Sequence, residues 1–167
     1  MGQINQNITD NYLTLYHKLI MVIFGTILFL ISLYLTDNYA YDDLKLYNLS
    51  YEQISNLNLL EAYAIYFLII GSFEPVHFFL TWIASNVGLD RNLFVGICNL
   101  LLFTSFFQLC RSYRVNTLVI LFVCFSSFYF WILFLELERL KLSFVFLFYA
   151  GLMSRNNGKY QLIFYLL

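Results

Sequence analysis

Long apolar runs alternate with short polar segments along most of this chain. Uncharged runs at 19–35, 93–109 and 117–135 approach or reach the roughly 17–25 residues with which a helix crosses a bilayer. A shorter apolar run follows at 142–153, and another begins at 162. The pattern predicts membrane spans at the first four runs and an incomplete span from 162. We therefore expect the chain to be the N-terminal part of a longer protein.

The apolar stretch between 60 and 88 is interrupted by Glu74-Pro75. Proline lacks a backbone donor and disfavours helical geometry in the residue before it. The two halves, 60–73 and 76–88, are each too short for an ordinary span. This pattern predicts a broken pair of half-helices that is re-entrant or lies at the membrane interface.

Hydrophobic residues make up 61% of the chain and charged residues only 11%. Soluble domains contain about 45–50% and about 25% of these classes, so lipid must solvate part of the apolar surface. We predict an all-α, polytopic helical membrane protein with a single membrane domain at 19–167. No basic block indicates nucleic-acid binding, and Cys98, Cys110 and Cys124 are predicted to be buried free thiols.

The positions of the basic residues predict an orientation. Lys and Arg in short loops mark the cytoplasmic side of a membrane, so Arg111 and Arg114 place the turn between two spans inside. Lys18 places the polar tail at 1–18 in the cytoplasm as well. The acidic, tyrosine-rich segment at 37–58 is then a loop on the outer side.

Arg139 is the first candidate for chemistry, at the predicted outer end of the span that follows it. The planar guanidinium of arginine holds two oxygens at once and therefore suits pyrophosphate. The alternative is an interfacial arginine that pairs with Glu136 or Glu138 and extends to the lipid headgroups.

Glu74 is the second candidate, because a carboxylate at a helix break can bind a sugar hydroxyl or accept its proton. His77 lies three residues further on, on the same face of the predicted half-helix. The alternative is that Glu74 caps the helix that Pro75 begins, and the two interpretations are compatible.

The segment at 37–58 offers a third group, in which Asp37 can contact a carbohydrate and Tyr41 and Tyr47 can stack on its rings. Tyrosines are equally expected at the membrane interface, so this pattern is weak on its own.

The order of these features resembles that of the EpsG-like, Wzy-type polysaccharide polymerases. The matching segments are Asp37-Asn-Tyr-Ala-Tyr41 with Tyr47, Phe73-Glu-Pro-Val-His-Phe-Phe-Leu80, and Arg139-Leu-Lys-Leu-Ser143. The chain departs from the family pattern at Leu140, where the family typically has Gln, and at Ser143, where it has Ala.

The resemblance implies a membrane enzyme that polymerises lipid-linked oligosaccharide repeat units for exopolysaccharide, capsule or O-antigen. Its substrate would be an oligosaccharide on undecaprenyl pyrophosphate, used at the bacterial cytoplasmic membrane without a cofactor or metal. Glu74 and Arg139 would be catalytic, while Asp37, Tyr41, Tyr47, His77 and Arg139 would bind substrate. Other polysaccharide-assembly proteins would be its partners. The alternative is a small non-enzymatic multi-span transporter or assembly subunit.

Overall fold

The structure, a computed structural model, describes the backbone of residues 2–38, 42–135 and 138–156 and the side chains of 15–35, 45–134 and 140–154. Every regular element in these ranges is an α-helix, which confirms the predicted fold class. The helices are α1 (Gly2–Asn38), α2 (Asp42–Gln53), α3 (Leu59–Ile70), α4 (Pro75–Asn86), α5 (Arg91–Ser112), α6 (Thr117–Ser126), α7 (Phe128–Leu135) and α8 (Glu138–Asn156). The apolar run from 162 lies outside the described residues.

Helix α5 is at the centre of the fold and packs antiparallel to α1. Two glycines allow this close approach: a Cβ on Gly25 would lie 2.9 Å from a Leu100 methyl carbon, and one on Gly96 would lie 2.8 Å from the Phe29 ring. The buried Asn99 amide also donates a 2.7 Å hydrogen bond to the Ser32 hydroxyl across this interface. Small residues and interhelical hydrogen bonds are the usual means by which helices associate in lipid.

Helices α6, α7 and α8 surround the rest of α5. Phe103 and Phe107 of α5 share a buried cluster with Ile120 of α6 and Phe134 of α7. On the α8 side, the Phe106 and Phe148 rings lie 5.5 Å apart.

The run predicted as a span at 117–135 is helical but not straight, because a break at Ser127 divides it into α6 and α7, bent by 72°. Ser127 has extended backbone geometry, with φ −79° and ψ 114°. Its hydroxyl accepts a 3.3 Å hydrogen bond from the Phe130 amide. Serine is favoured at such helix starts because its short side chain replaces a missing backbone partner.

The broken helix pair predicted around Glu74-Pro75 is present as α3 and α4, bent by 116°. Helix α3 ends earlier than predicted, because Gly71 takes a left-handed conformation with φ 72° and donates its backbone N–H to the Phe67 carbonyl. Pro75 occupies the first turn of α4, where its missing N–H has no intrahelical partner to lose.

The beginning of α3 and the end of α4, which are the ends furthest from the bend, lie close together. The indole N–H of Trp82 donates a 3.0 Å hydrogen bond to the Leu57 carbonyl, and the Asn86 side chain accepts a 3.1 Å bond from the Asn56 amide. A single broken span would separate these ends by about 30 Å. The pair therefore returns to the side from which it starts.

The prediction of a loop at 37–58 is wrong for residues 42–53, which form α2. Tyr47, Ser50, Tyr51 and Ile54 are all buried, and their spacing places them along one helix face. The acidic and polar residues between them indicated a loop, although the buried positions follow helical periodicity.

Two of the described helices, at Leu15–Leu35 and Arg91–Ser112, are long and apolar enough to cross a bilayer, and up to four spans result if each bent pair counts as one. The apolar part of α8, Leu140–Ser154, is shorter than the roughly 20 residues of a typical span. Residues 2–18, predicted as a polar tail, are helical and continuous with the first of these spans. Leu60, Leu68 and Tyr129 are each 81% exposed, as expected for side chains that face lipid.

Candidate functional site

His77 lies in the first turn of α4, where the bend of the helix pair turns it towards α2 and α3. It is buried, and its Nδ1 is 2.7 Å from the hydroxyl oxygen of Tyr66, which is completely buried on α3. The His77 ring also makes an edge-to-face contact with Tyr47 of α2, with ring centres 5.4 Å apart. Two residues predicted to bind substrate, Tyr47 and His77, are thus brought together.

Lys141 of α8 lies in the same region of the fold as His77. It is only 1% exposed, and it lines a narrow cavity together with His77, Phe94, Val95, Cys98 and Leu142. Val95 and Cys98 follow Asp90, the N-cap residue of α5, by five and eight residues, or about 7–12 Å along the helix. The cavity is therefore buried near the end of the helix bundle that carries α2.

Glu74 occupies the N-cap position of α4, but its side chain makes no capping hydrogen bond. Instead, its Oε1 accepts a 2.7 Å hydrogen bond from the Ser72 hydroxyl. The Glu74 side chain therefore does not cap α4 by a hydrogen bond. The bond from Ser72 holds its carboxylate at the bend.

The other predicted site residues are described only in part. Arg139 belongs to the first turn of α8 and Asp37 to the last turn of α1, but both side chains lie outside the described part of the chain. Tyr41 lies entirely outside it. Arg139 precedes the buried Lys141 by two residues, so its backbone is close to the cavity.

Sequence reasoning did not single out two members of this cluster, Tyr66 and Lys141. Lys141 had a signal, because a lysine that begins an apolar helix is costly in a membrane and tends to face the interior of a bundle or a wet cavity. Tyr66 had none, since its contact with His77 depends on the angle between α3 and α4.

An open groove lies beside the bend, lined by side chains of α3, α4 and α8 that include Leu60, Tyr63, Val76, Phe79 and Phe146. Almost all of its surface is apolar, so hydrocarbon chains would fill it in a bilayer. Among the described residues, no group of three His, Cys, Asp or Glu side chains could hold a metal ion. The described chemistry of the site is therefore that of hydroxyls, an imidazole, a carboxylate and an ammonium.

Cys98 and Cys124 are buried free thiols, as predicted, whereas Cys110 is half-buried.

Comparison of the chain with protein-family models, with curated proteins and with solved structures gave no match.

Proposed function

We propose that this chain belongs to a membrane polymerase of lipid-linked oligosaccharide repeat units in bacterial exopolysaccharide, capsule or O-antigen synthesis. One observation carries the proposal: the three segments on which the resemblance rests converge. Tyr47 from the first segment contacts His77 from the second, and His77 shares a cavity with Lys141 from the third. Segments so distant in sequence have no local reason to meet.

In the proposed reaction, a hydroxyl of the incoming repeat unit attacks the anomeric carbon of the growing glycan. The bond between this carbon and the pyrophosphate oxygen breaks, and the lipid pyrophosphate leaves with the electron pair. Glu74, held by Ser72, accepts the proton of the attacking hydroxyl. Arg139 binds the oxygens of the departing pyrophosphate, where negative charge accumulates.

The bent pair of helices gives this proposal a position in the bilayer. Because α3 and α4 return to the side from which they start, Glu74 lies at the turn of a hairpin and not in the middle of a span. The apolar groove beside the turn would accept the hydrocarbon part of a lipid carrier, while the sugars stay on the polar side. In the proposed orientation, the N-terminus is in the cytoplasm and the site is on the outer side of the cytoplasmic membrane.

The proposal is tested by complementation with the full-length gene that encodes this chain, in a bacterial strain that lacks its repeat-unit polymerase but makes a compatible lipid-linked repeat. We expect the wild-type gene to restore long polymer on a glycan gel. Arg139→Ala and Glu74→Gln should leave single repeats, because they remove the pyrophosphate ligand and the base.

The matched control is Arg114→Asn, at the opposite end of α5, because Asn tolerates the positive φ of 61° at this position. It should make polymer at the wild-type level. Single repeats from the wild-type gene, with the protein present in the membrane, would overturn the proposal. Restored export of the repeat without longer chains would instead favour a non-enzymatic transporter or assembly subunit.

A further inference from the structure

Basic side chains gather at the end of the bundle where α1 meets the start of α6. Lys18 lies on α1 there, Arg111 lies in the last turn of α5, and Arg114 lies in the turn that follows. The sequence has no Asp or Glu at 15–35 or at 95–134, so no carboxylate from the described side chains of α1, α6 or α7 faces these cations. We call this part of the fold the basic end.

The Arg111 guanidinium is held in place at the basic end. Its Nη1 donates a 2.8 Å hydrogen bond to the Val115 carbonyl, and its charge acts on the ring of His17 in α1. No other hydrogen bond or ion pair joins it to the described residues, although a guanidinium has five N–H donors. Because the side chain is half-buried and not fully enclosed, the remaining donors are open to a ligand.

His17 supplies a second unused polar atom beside Arg111. Its Nδ1 is 2.8 Å from the hydroxyl oxygen of Thr117, whereas its Nε2 is shielded from solvent and has no hydrogen-bond partner among the described residues. When the hydroxyl donates to Nδ1, the proton of a neutral imidazole is on Nε2. A shielded N–H without an acceptor is costly, and a ligand oxygen bound there would remove this cost.

We infer that Arg111 and His17 bind the phosphate group of an anionic phospholipid. The planar fork of Arg111 can hold two phosphate oxygens at once, and His17 adds a directed donor. Lys18 and Arg114 are exposed, and each adds to the positive potential that attracts anionic headgroups to a membrane protein.

The position of the site in the fold favours a lipid over a soluble phosphate. Arg111 lies in the last turn of a helix of 22 residues, so in a bilayer it is at about the depth of the headgroups. Tyr16 and Tyr113, which are exposed at the same end, are typical of the membrane interface. Leu118 and Phe122 continue along α6 as exposed apolar side chains, which suit the acyl chains of a lipid.

The inference is independent of the proposed function, because neither Arg111 nor His17 belongs to the site around His77. In the proposed orientation, the basic end faces the cytoplasmic leaflet, whereas polymerisation takes place on the other side. Lipid binding is measured on purified protein and polymer length in cells, so the failure of one is distinguishable from the failure of the other.

The test measures which lipid stays bound to the purified chain. The chain is placed in nanodiscs with equal amounts of dioleoylphosphatidylglycerol and dioleoylphosphatidylcholine, and native mass spectrometry identifies the lipids that remain on the released protein. Since the acyl chains are the same, only the headgroup differs. We expect about tenfold more phosphatidylglycerol than phosphatidylcholine, as charge-assisted hydrogen bonds to a phosphate predict. Equal retention by the wild type overturns the inference, as does displacement of the phosphatidylglycerol by inorganic phosphate at the same concentration.

Arg111→Gln should bring the ratio of the two lipids close to equality. Arg111→Lys should give an intermediate ratio, because it keeps the charge but loses the planar fork. The matched control is Arg114→Asn, which removes the same charge from an exposed position and tolerates the positive φ of 61°. It should lower the ratio by no more than about threefold, because an exposed charge contributes little. Equal losses in Arg111→Gln and Arg114→Asn would overturn the inference in favour of a diffuse positive surface.

Two further variants test His17 as a ligand and not as a link between helices. Thr117→Val breaks the hydrogen bond between α1 and α6 but leaves the imidazole, so the ratio should stay near that of the wild type. Adding His17→Leu removes the imidazole as well and should lower the ratio further, by about threefold or more. Equal ratios in the single and the double variant would overturn the assignment of His17.

Discussion

At the scale of single residues, Tyr51 holds the surface helix α2 against the transmembrane part of the fold. Its hydroxyl donates a 2.7 Å hydrogen bond to the Leu89 carbonyl, in the turn before α5. Burial, with a smaller contribution from the Asp90 carboxylate, raises the pKa of Tyr51 to about 12. The ordinary tyrosine pKa is about 10, so the folded protein holds this proton more tightly than the unfolded chain does.

This shift predicts a loss of stability at alkaline pH. A raised pKa means that the contribution of Tyr51 is complete below pH about 10 and is lost as the pH rises towards about 12. At pH 8, Tyr51→Phe should be less stable than the wild type by about 1 kcal/mol, because the Leu89 carbonyl loses its donor. The difference between the two proteins should shrink by pH 11. Denaturant unfolding in detergent at both pH values measures it.

Asp90→Asn provides the control for this effect. Asn caps a helix about as well as Asp, so the start of α5 should be kept while the negative charge beside Tyr51 is removed. The alkaline loss should therefore be smaller in this variant than in the wild type. A constant difference between wild type and Tyr51→Phe from pH 8 to pH 11 would contradict the assigned pKa.

At the scale of helices, the α1–α5 interface depends on glycine to different degrees at its two close contacts. The contact at Gly25 is with a methyl carbon at the end of Leu100, whereas the contact at Gly96 is with the ring of Phe29 and also with Leu33. A flexible leucine end can move aside at small cost, but a packed aromatic ring cannot. The two glycines should therefore respond differently to the same substitution.

Gly96→Ala should destabilise the protein by about 1–3 kcal/mol, the usual cost of overfilling a packed interface. Gly25→Ala should be nearly neutral, because the higher helix propensity of Ala, worth about 1 kcal/mol, offsets the small shift of Leu100. Thermal unfolding in detergent, followed by circular dichroism at 222 nm, compares the two variants directly. Equal destabilisation by both would show that the ring of Phe29 gives way as easily as the Leu100 methyl.

The sequence predicted helices better than it predicted their breaks and angles. The apolar runs were sufficient to predict α5, because a span follows from the length of an uncharged run. Pro75 was sufficient to predict the broken pair, because proline geometry interrupts a helix. The break at Ser127 has no proline, and it depends on how α6 and α7 pack around α5. The same limit applies to the site. Glu74 and His77 were candidates from local sequence, but the contact of His77 with Tyr66 and the cavity that it shares with Lys141 depend on the angles between helices.

At the scale of the whole molecule, hydrogen bonds identify two ends of the bundle. At one end, the Thr117 hydroxyl lies 2.8 Å from His17 Nδ1, which joins the beginning of α6 to α1. At the other, Tyr51 joins α2 to the turn before α5. Helix α5 runs from the second end to the first. These contacts are independent of the basic residues from which the orientation was predicted, and they group the polar segments in the same way.

The grouping predicts which positions share a side of the membrane. In a chain with Cys98, Cys110 and Cys124 replaced by Ala, single cysteines at Lys18 and Asn116, both exposed, should react with a membrane-impermeant maleimide from the same side. Cysteines at the exposed positions Gln53 and Asp90 should react from the opposite side. The second pair is decisive, because a hairpin of α3 and α4 keeps the two positions together, whereas one broken span would place them on opposite faces. Labelling of intact cells and of inverted vesicles measures both arrangements, and reaction of Gln53→Cys and Asp90→Cys from different sides would contradict the hairpin.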